Sequence, residues 1–167
     1  PTYIDPVESM LRGQGYTPDY RMPGIGAPYF VFRQFMDRGA SRDAYVVMQW
    51  LLSSVSVVLL AHLAWLLTGR KRVFLLVYAL FLVSTFTSLY DVMVGSDSLA
   101  VSTLIIHVFL LDRGIRHKGK ADLIGAGFFL TWAIFARPVL APVLLLSLAL
   151  LFFRMGRVKA WRHLVWF

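Results

Sequence analysis

The sequence predicts an all-α, polytopic integral membrane helical bundle with interfacial helices in its first outer loop. Three observations predict it. Of the 167 residues, 58% are apolar and 16% charged, against roughly 25% charged in an ordinary soluble domain. Apolar runs of bilayer-spanning character recur from residue 46 onward, and Lys and Arg collect in alternate connections between them. Polarity divides the chain into residues 1–43, read as an extracytoplasmic loop, and residues 44–167, read as a transmembrane region of about five hydrophobic segments. The chain opens on Pro1 without a methionine or signal-like core and closes on Trp166-Phe167, so it reads as a fragment of a longer protein.

In the first segment, Ile4, Val7, Met10 and Leu11 recur at helical spacing, and Gly13 and Gly15 follow. This predicts a short amphipathic helix on a membrane surface. Tyr16 to Pro28, with three prolines and two glycines, reads as an ordered loop, and Tyr29 to Met36 as a second interfacial helix. The spans follow at 46–68, 73–94, 98–111, 121–136 and 138–153. The first approaches the 20 or so apolar residues a bilayer requires, broken only by Gln49, a few serines and His62. Gly69-Arg70-Lys71-Arg72 makes a tight basic turn into the second, and Gly95-Ser96-Asp97-Ser98 separates the second from the third. The last three are short, and Pro138 disfavours helix at Arg137 before it. Such lengths suit helices shielded by neighbours, or a re-entrant pair.

Charge sets the orientation. Eleven Lys and Arg fall in Arg70–Arg72, Arg113–Lys120 and Arg154–Arg162, against Asp112 and Asp122 alone. The opposite side is nearly neutral, with six arginines and seven acids. The positive-inside rule places the eleven in the cytoplasm, and residues 1–43, Asp97 and Arg137 outside, with an odd number of spans. The net charge of +8 is distributed in short clusters rather than on one face, which excludes a nucleic-acid surface and fits attraction to anionic membrane lipids. With no cysteine there is no disulfide framework and no thiolate metal site. Soluble-enzyme signatures, from a phosphate-binding Gly-rich loop to Gly-x-Ser-x-Gly and His-Glu-x-x-His, are missing.

The chemistry-bearing residues fall on the outer side. An ionisable group near hydrocarbon costs roughly 2.5–3.5 kcal/mol on insertion scales, so one retained there faces a cavity or a partner. Asp97 is a candidate acid or ligand for a divalent metal, or else a simple helix cap. Arg137 could hold a phosphate bidentately or snorkel to the interface. Asp19-Tyr20-Arg21 offers an acid, an aromatic and a cation in one rigid turn, either as a ligand site or as a structural pair. His62 and His107 have no metal-spaced partners and read as helix-packing residues.

The run Tyr3, Glu8, Met10, Leu11, Gly13, then Tyr16-x-Pro18-Asp19-Tyr20-Arg21-Met22-Pro23-Gly24, then an interfacial helix and paired spans, resembles the N-terminal membrane region of the GT-C glycosyltransferases. The likeness is to the polyprenyl- or dolichyl-phosphate-sugar-dependent branch that includes protein mannosyltransferases and aminoarabinose transferases. Ser96-Asp97-Ser98-Leu99-Ala100 resembles that family's second outer loop, and Phe135-Ala136-Arg137-Pro138 its Arg-Pro after the fifth span. The resemblance implies a GT-C-like fold and transfer of a sugar from a polyprenyl-phosphate-linked donor to a glycan, lipid or protein acceptor. The reaction would run on the extracytoplasmic face of a membrane, the bacterial inner membrane being the expected one. It implies a principal catalytic aspartate shortly before the tyrosine matched by Tyr3, hence upstream of Pro1, with Asp97 as second acid and possible Mg or Mn ligand. Tyr3, Asp19, Tyr20, Arg21 and Arg137 would contact substrate, and the lipid tail would lie in a groove between spans. The alternatives from other classes are a non-catalytic membrane subunit or lipid-binding scaffold, and a transporter of lipid-linked intermediates.

Because the chain has no cysteine, the topology is directly testable. Gly15→Cys and Gly119→Cys are expected to react with an impermeant thiol reagent from opposite sides of the membrane; labelling from one side refutes the odd-span arrangement.

Overall fold

A computed structural model describes residues 4–15, 24–83 and 96–155, and all regular structure among them is helical. In chain order the elements are α1 (Asp5–Leu11), α2 (Gly26–Arg33), α3 (Arg38–Thr68), α4 (Lys71–Val83), α5 (Ser96–His117), α6 (Lys120–Ala136), a 3-10 turn (Pro138–Leu140) and α7 (Ala141–Met155). By length and composition α3 and α5 are able to cross a membrane.

Local signals account for most boundaries. Pro6 and the acids Asp5 and Glu8 occupy the first turn of α1, where a missing N–H is harmless and negative charge favours the helix dipole. Asp37 caps α3, its Oδ1 accepting from the Ala40 N–H at 2.7 Å. The cap moves the start of α3 eight residues ahead of the apolar run at 46. One helix therefore passes without a break through the polarity boundary expected between residues 43 and 44. At its other end Gly69 adopts φ +68° and donates to the Trp65 carbonyl at 2.8 Å. A left-handed residue with a side chain there would cost about 1–2 kcal/mol.

Three further elements differ from the sequence expectation. The third hydrophobic segment, 98–111, lies within the longer helix α5, of 22 residues. Hydropathy ends at Asp112, but the helix continues because its charges are satisfied: Arg116 pairs with Asp112 at 2.8 Å and Arg113 with Asp122 of α6 at 3.2 Å. The second outer helix begins at Gly26, three residues before the expected Tyr29, with Pro28 in the first turn where no intrahelical N–H is required. The segment expected at 138–153 divides into the 3-10 turn and α7. Of the segment expected at 73–94, residues 84–94 lie outside the described residues.

Packing fixes the direction of each helix. Tyr45 of α3 shares a buried cluster with Leu99 and Ala100 of α5, while His62 meets Phe109 edge-on at 5.9 Å. Helices α3 and α5 therefore run parallel. Helix α6 returns antiparallel: Gly114 lies under Leu123, Gly125 under Leu110, and Arg137 reaches Asp97. The glycines matter here because a Cβ on Gly114 would stand 2.8 Å from Leu123 Cδ2, and small residues allow such close approach of apolar helices. His107, fully buried, joins three helices: its Nδ1 donates to the Ala126 carbonyl and its Nε2 lies 2.9 Å from Ser147 Oγ.

Two ends result. One gathers α1, α2, the starts of α3 and α5 and the end of α6 around Ile4, Val7, Ile25, Tyr29 and Ala136. The other carries the turn at Gly69-Arg70, the turn between α5 and α6, and Arg154. The described members of the basic clusters thus share an end, opposite Asp97 and Arg137. The flanks between are apolar: α4 has no buried residue, and Leu75, Leu80, Leu82, Leu145 and Leu146 are each more than half exposed.

Gly24 is the tightest join between the outer segment and the bundle. A Cβ there would fall 2.5 Å from the Ala136 nitrogen and the Phe135 carbonyl carbon, backbone atoms that cannot swing aside. Gly24→Ala is expected to lower stability by about 1–3 kcal/mol in thermal unfolding of the detergent-solubilised protein. Gly39→Ala, whose nearest neighbour would be 3.5 Å away, serves as the near-neutral control.

Candidate functional site

Arg137 takes its position from the proline after it. Pro138 keeps Arg137 out of the helical region, and the residue is extended at φ −144°, ψ 102°. Its backbone N–H still closes α6 on the Ala133 carbonyl at 2.8 Å, while the side chain crosses to α5. There Nε donates to Ser96 Oγ at 3.1 Å, and Nη2 forms an ion pair with Asp97 Oδ1. Ser96 is buried, but the Arg137 and Asp97 side chains are 41% and 43% exposed. A pair so exposed contributes only about 0–1 kcal/mol to stability. The guanidinium is anchored on its inner side by Ser96.

Asp97 lies in the first turn of α5, where the unpaired amides and dipole favour its carboxylate. The structure thus adds to the two sequence readings of Asp97, cap and ligand, a third arrangement: partner of Arg137. It brings together two of the candidate residues. Tyr3, Asp19, Tyr20 and Arg21 lie outside the described residues.

Among the described residues no three His, Asp or Glu side chains converge as a metal site. Among the described residues Asp97 offers one carboxylate, paired with Arg137 and beside the Ser96 hydroxyl, so a divalent ion held there would draw its remaining oxygens from water or a substrate phosphate.

A second polar constellation at this end was missed in the sequence. Glu8 Oε1 accepts from the Tyr29 hydroxyl at 2.6 Å and from Arg33 Nε at 2.7 Å, and Arg33 Nη1 donates to the Met36 carbonyl at 2.9 Å. Tyr29 is fully buried and Glu8 nearly so. The signal was present: Tyr29 and Arg33 are four apart, hence on one face of α2, and Glu8 is an acid on an otherwise apolar face of α1. The hydrogen bond and charge of Arg33 hold the Glu8 carboxyl below its usual range despite burial. Burial, then the Glu8 carboxylate, push the Tyr29 hydroxyl up to about 12. Held ionised and bonded, Glu8 is a poor proton acceptor; its role is to clamp α1 to α2.

Beside this clamp the Trp132 indole donates to the Gly24 carbonyl at 2.9 Å, and the Gly24 N–H donates to the Phe135 carbonyl at 3.2 Å. Next to the join lies a cavity of about 540 Å³ between Ala27, Pro28 and Val31 of α2 and Phe128, Trp132 and Phe135 of α6. It does not adjoin the Arg137 guanidinium. The α6 residues that meet α5 include Leu123 and Ala126, whereas the cavity residues Phe128 and Phe135 are offset from that register by about half a turn.

Comparison with family models, with curated proteins and with solved structures returned no match.

The clamp has a pH window. A depressed Glu8 pKa stabilises the fold above the unfolded value of 4.5, and that stability is lost as pH falls through the folded value. The raised Tyr29 pKa stabilises below the unfolded 10.0, and this is lost as pH rises toward about 12. Protection factors of the α1 and α2 amides, which correct for the intrinsic pH dependence of exchange, are expected to fall below about pH 4.5 in the wild type, with a smaller acid dependence in Glu8→Gln. Glu8→Ala, which strands the buried Tyr29 hydroxyl, is expected to cost about 1–3 kcal/mol.

Proposed function

We propose that this chain is the N-terminal membrane region of a GT-C-type glycosyltransferase, a polytopic helical bundle in a bacterial inner membrane with α1 and α2 on its extracytoplasmic face. The enzyme would transfer a sugar from a polyprenyl-phosphate-linked donor to an acceptor. The observation that carries the reading is the half-exposed Asp97–Arg137 pair, seated on buried Ser96 at the end away from the basic turns. The two membrane-length helices and the apolar flanks support the membrane setting.

In the reaction, the bond between the anomeric carbon and the donor phosphate oxygen breaks, its electron pair passing to the lipid phosphate. A bond from the acceptor heteroatom to that carbon forms, and the acceptor proton goes to a carboxylate. Arg137 would take the phosphate oxygens in place of Asp97 and stabilise the leaving group as its charge grows. The displaced Asp97 carboxylate would then stand beside the reacting centre as the second acid. The principal base would be another carboxylate, as the GT-C resemblance implies. Glu8 is excluded from that role by its bonds to Tyr29 and Arg33. The uncharged cavity beside α2 favours one second reading, a lipid-binding scaffold of the same fold without the chemistry.

In the full-length protein, Asp97→Asn and Arg137→Ala are expected to lower sugar transfer from a lipid-phosphate donor by about 10²-fold or more, the scale of losing a transition-state donor. Membrane insertion and helix content should stay unchanged. Wild-type rates in both variants would sink the site assignment, whereas no transfer by the wild type itself would leave the scaffold reading.

A further inference from the structure

We infer that the cavity between α2 and α6 is a lipid-chain site, taking one acyl chain of a bilayer phospholipid. The inference rests on the membrane setting proposed above but not on the transfer chemistry. A volume of about 540 Å³ is within the range of small-molecule sites. Its lining has no charged side chain, Thr131 brings the one side-chain hydroxyl among the lining residues, and the Trp132 N–H is already given to the Gly24 carbonyl. Nothing there recognises a headgroup.

Water gains little by entering. A buried water needs two to four polar partners, and this lining does not supply them. The mouth faces outward, since Val31 is 54% exposed, Phe128 60% and Phe135 48%, apolar side chains like those on the flanks of α4 and α7. Hydrocarbon is the medium such a mouth fits. Arg137 is not among the residues that line the cavity, which separates this site from the anion seat. A phospholipid, with its headgroup left in the interface, therefore suits the cavity better than a carrier whose phosphate must reach Arg137.

The chain would pack against Ala27 and Val31 on one side and Phe128 and Phe135 on the other. It would complete a contact between α2 and α6 that is otherwise made next to the cavity by Gly24. The site would thereby let the bilayer hold the outer segment onto the bundle.

The test uses the chain purified in detergent with its native lipid, retained phospholipid being quantified by mass spectrometry. Ala27→Trp and Thr131→Phe fill the cavity from opposite walls, and Leu75→Trp on the exposed face of α4 is the control. Wild type and Leu75→Trp are expected to retain phospholipid, and both filled variants to lose it. Dioleoylphosphatidylcholine added to delipidated protein should raise the melting temperature of wild type and of Leu75→Trp but not of the filled variants. Retention by the filled variants at the wild-type level overturns the site. Displacement of the phospholipid by farnesyl phosphate, with transfer still dependent on Arg137, overturns the acyl-chain assignment alone. Recovery of the chain from the aqueous phase without detergent overturns the membrane setting and the site together. If neither filled variant folds, wild type in vesicles of brominated-acyl phosphatidylcholine decides: the exposed Trp50 is quenched in any case, so a drop in quenching on Trp132→Phe supports the site, and quenching unaffected by that change overturns it.

Discussion

The close seating of α6 on α5 is the constraint from which the rest of the arrangement follows. Gly114 and Gly125 let Leu123 and Leu110 approach so closely that a Cβ would stand 2.8 Å and 3.1 Å from them and require those leucines to shift, and His107 ties the Ala126 carbonyl into the same seam. With that register fixed, the last residue of α6 must arrive beside the first turn of α5, and Arg137 meets Asp97 and Ser96. Shifting the seam by one turn would move Arg137 about 5 Å along α5 and leave its guanidinium opposite apolar residues. The ion pair is thus a product of helix packing more than a cause of it, which agrees with its exposure.

The outer segment depends on a different kind of contact. Gly24 is joined to Phe135 and Ala136 backbone to backbone, and the Glu8 carboxylate joins α1 to α2 through Tyr29 and Arg33. The first contact is steric and uncharged, whereas the second is ionic and sensitive to acid. Losing one would not remove the other, so the segment can be loosened within itself while still attached to the bundle.

Much of the helix content was legible in the sequence. Ile4, Val7, Met10 and Leu11 announced α1, and Gly69 marked the end of α3, because apolar spacing and a left-handed glycine are local signals. The start of α3 was not read, because Asp37 acts through one side-chain hydrogen bond that hydropathy does not register. The length of α5 was underestimated for a similar reason: Asp112, Arg113 and Arg116 end an apolar run but not a helix once each has a partner. Asp97 and Arg137 were both picked out, each for its own cost near hydrocarbon. Their pairing depends on the α5–α6 register, a non-local fact. The Glu8 clamp needed the same kind of information, since α1 and α2 are joined across residues whose spacing fixes no contact.

The lengths of the helices carry a mechanical consequence for the proposed membrane setting. The apolar part of α3, residues 46–68, rises about 34 Å at 1.5 Å per residue, while the 13-residue stretch Leu99–Leu111 of α5, where the charge-free run ends, rises only about 20 Å. A hydrocarbon layer of about 30 Å matches the first and overshoots the second. Lipid beside α5, α6 and α7 would have to thin, or the bundle to lean, at a cost of fractions of a kcal/mol per Å of mismatch. The protein would then meet a bilayer of two thicknesses, and the thinner side would lower the water boundary toward Asp97 and Arg137.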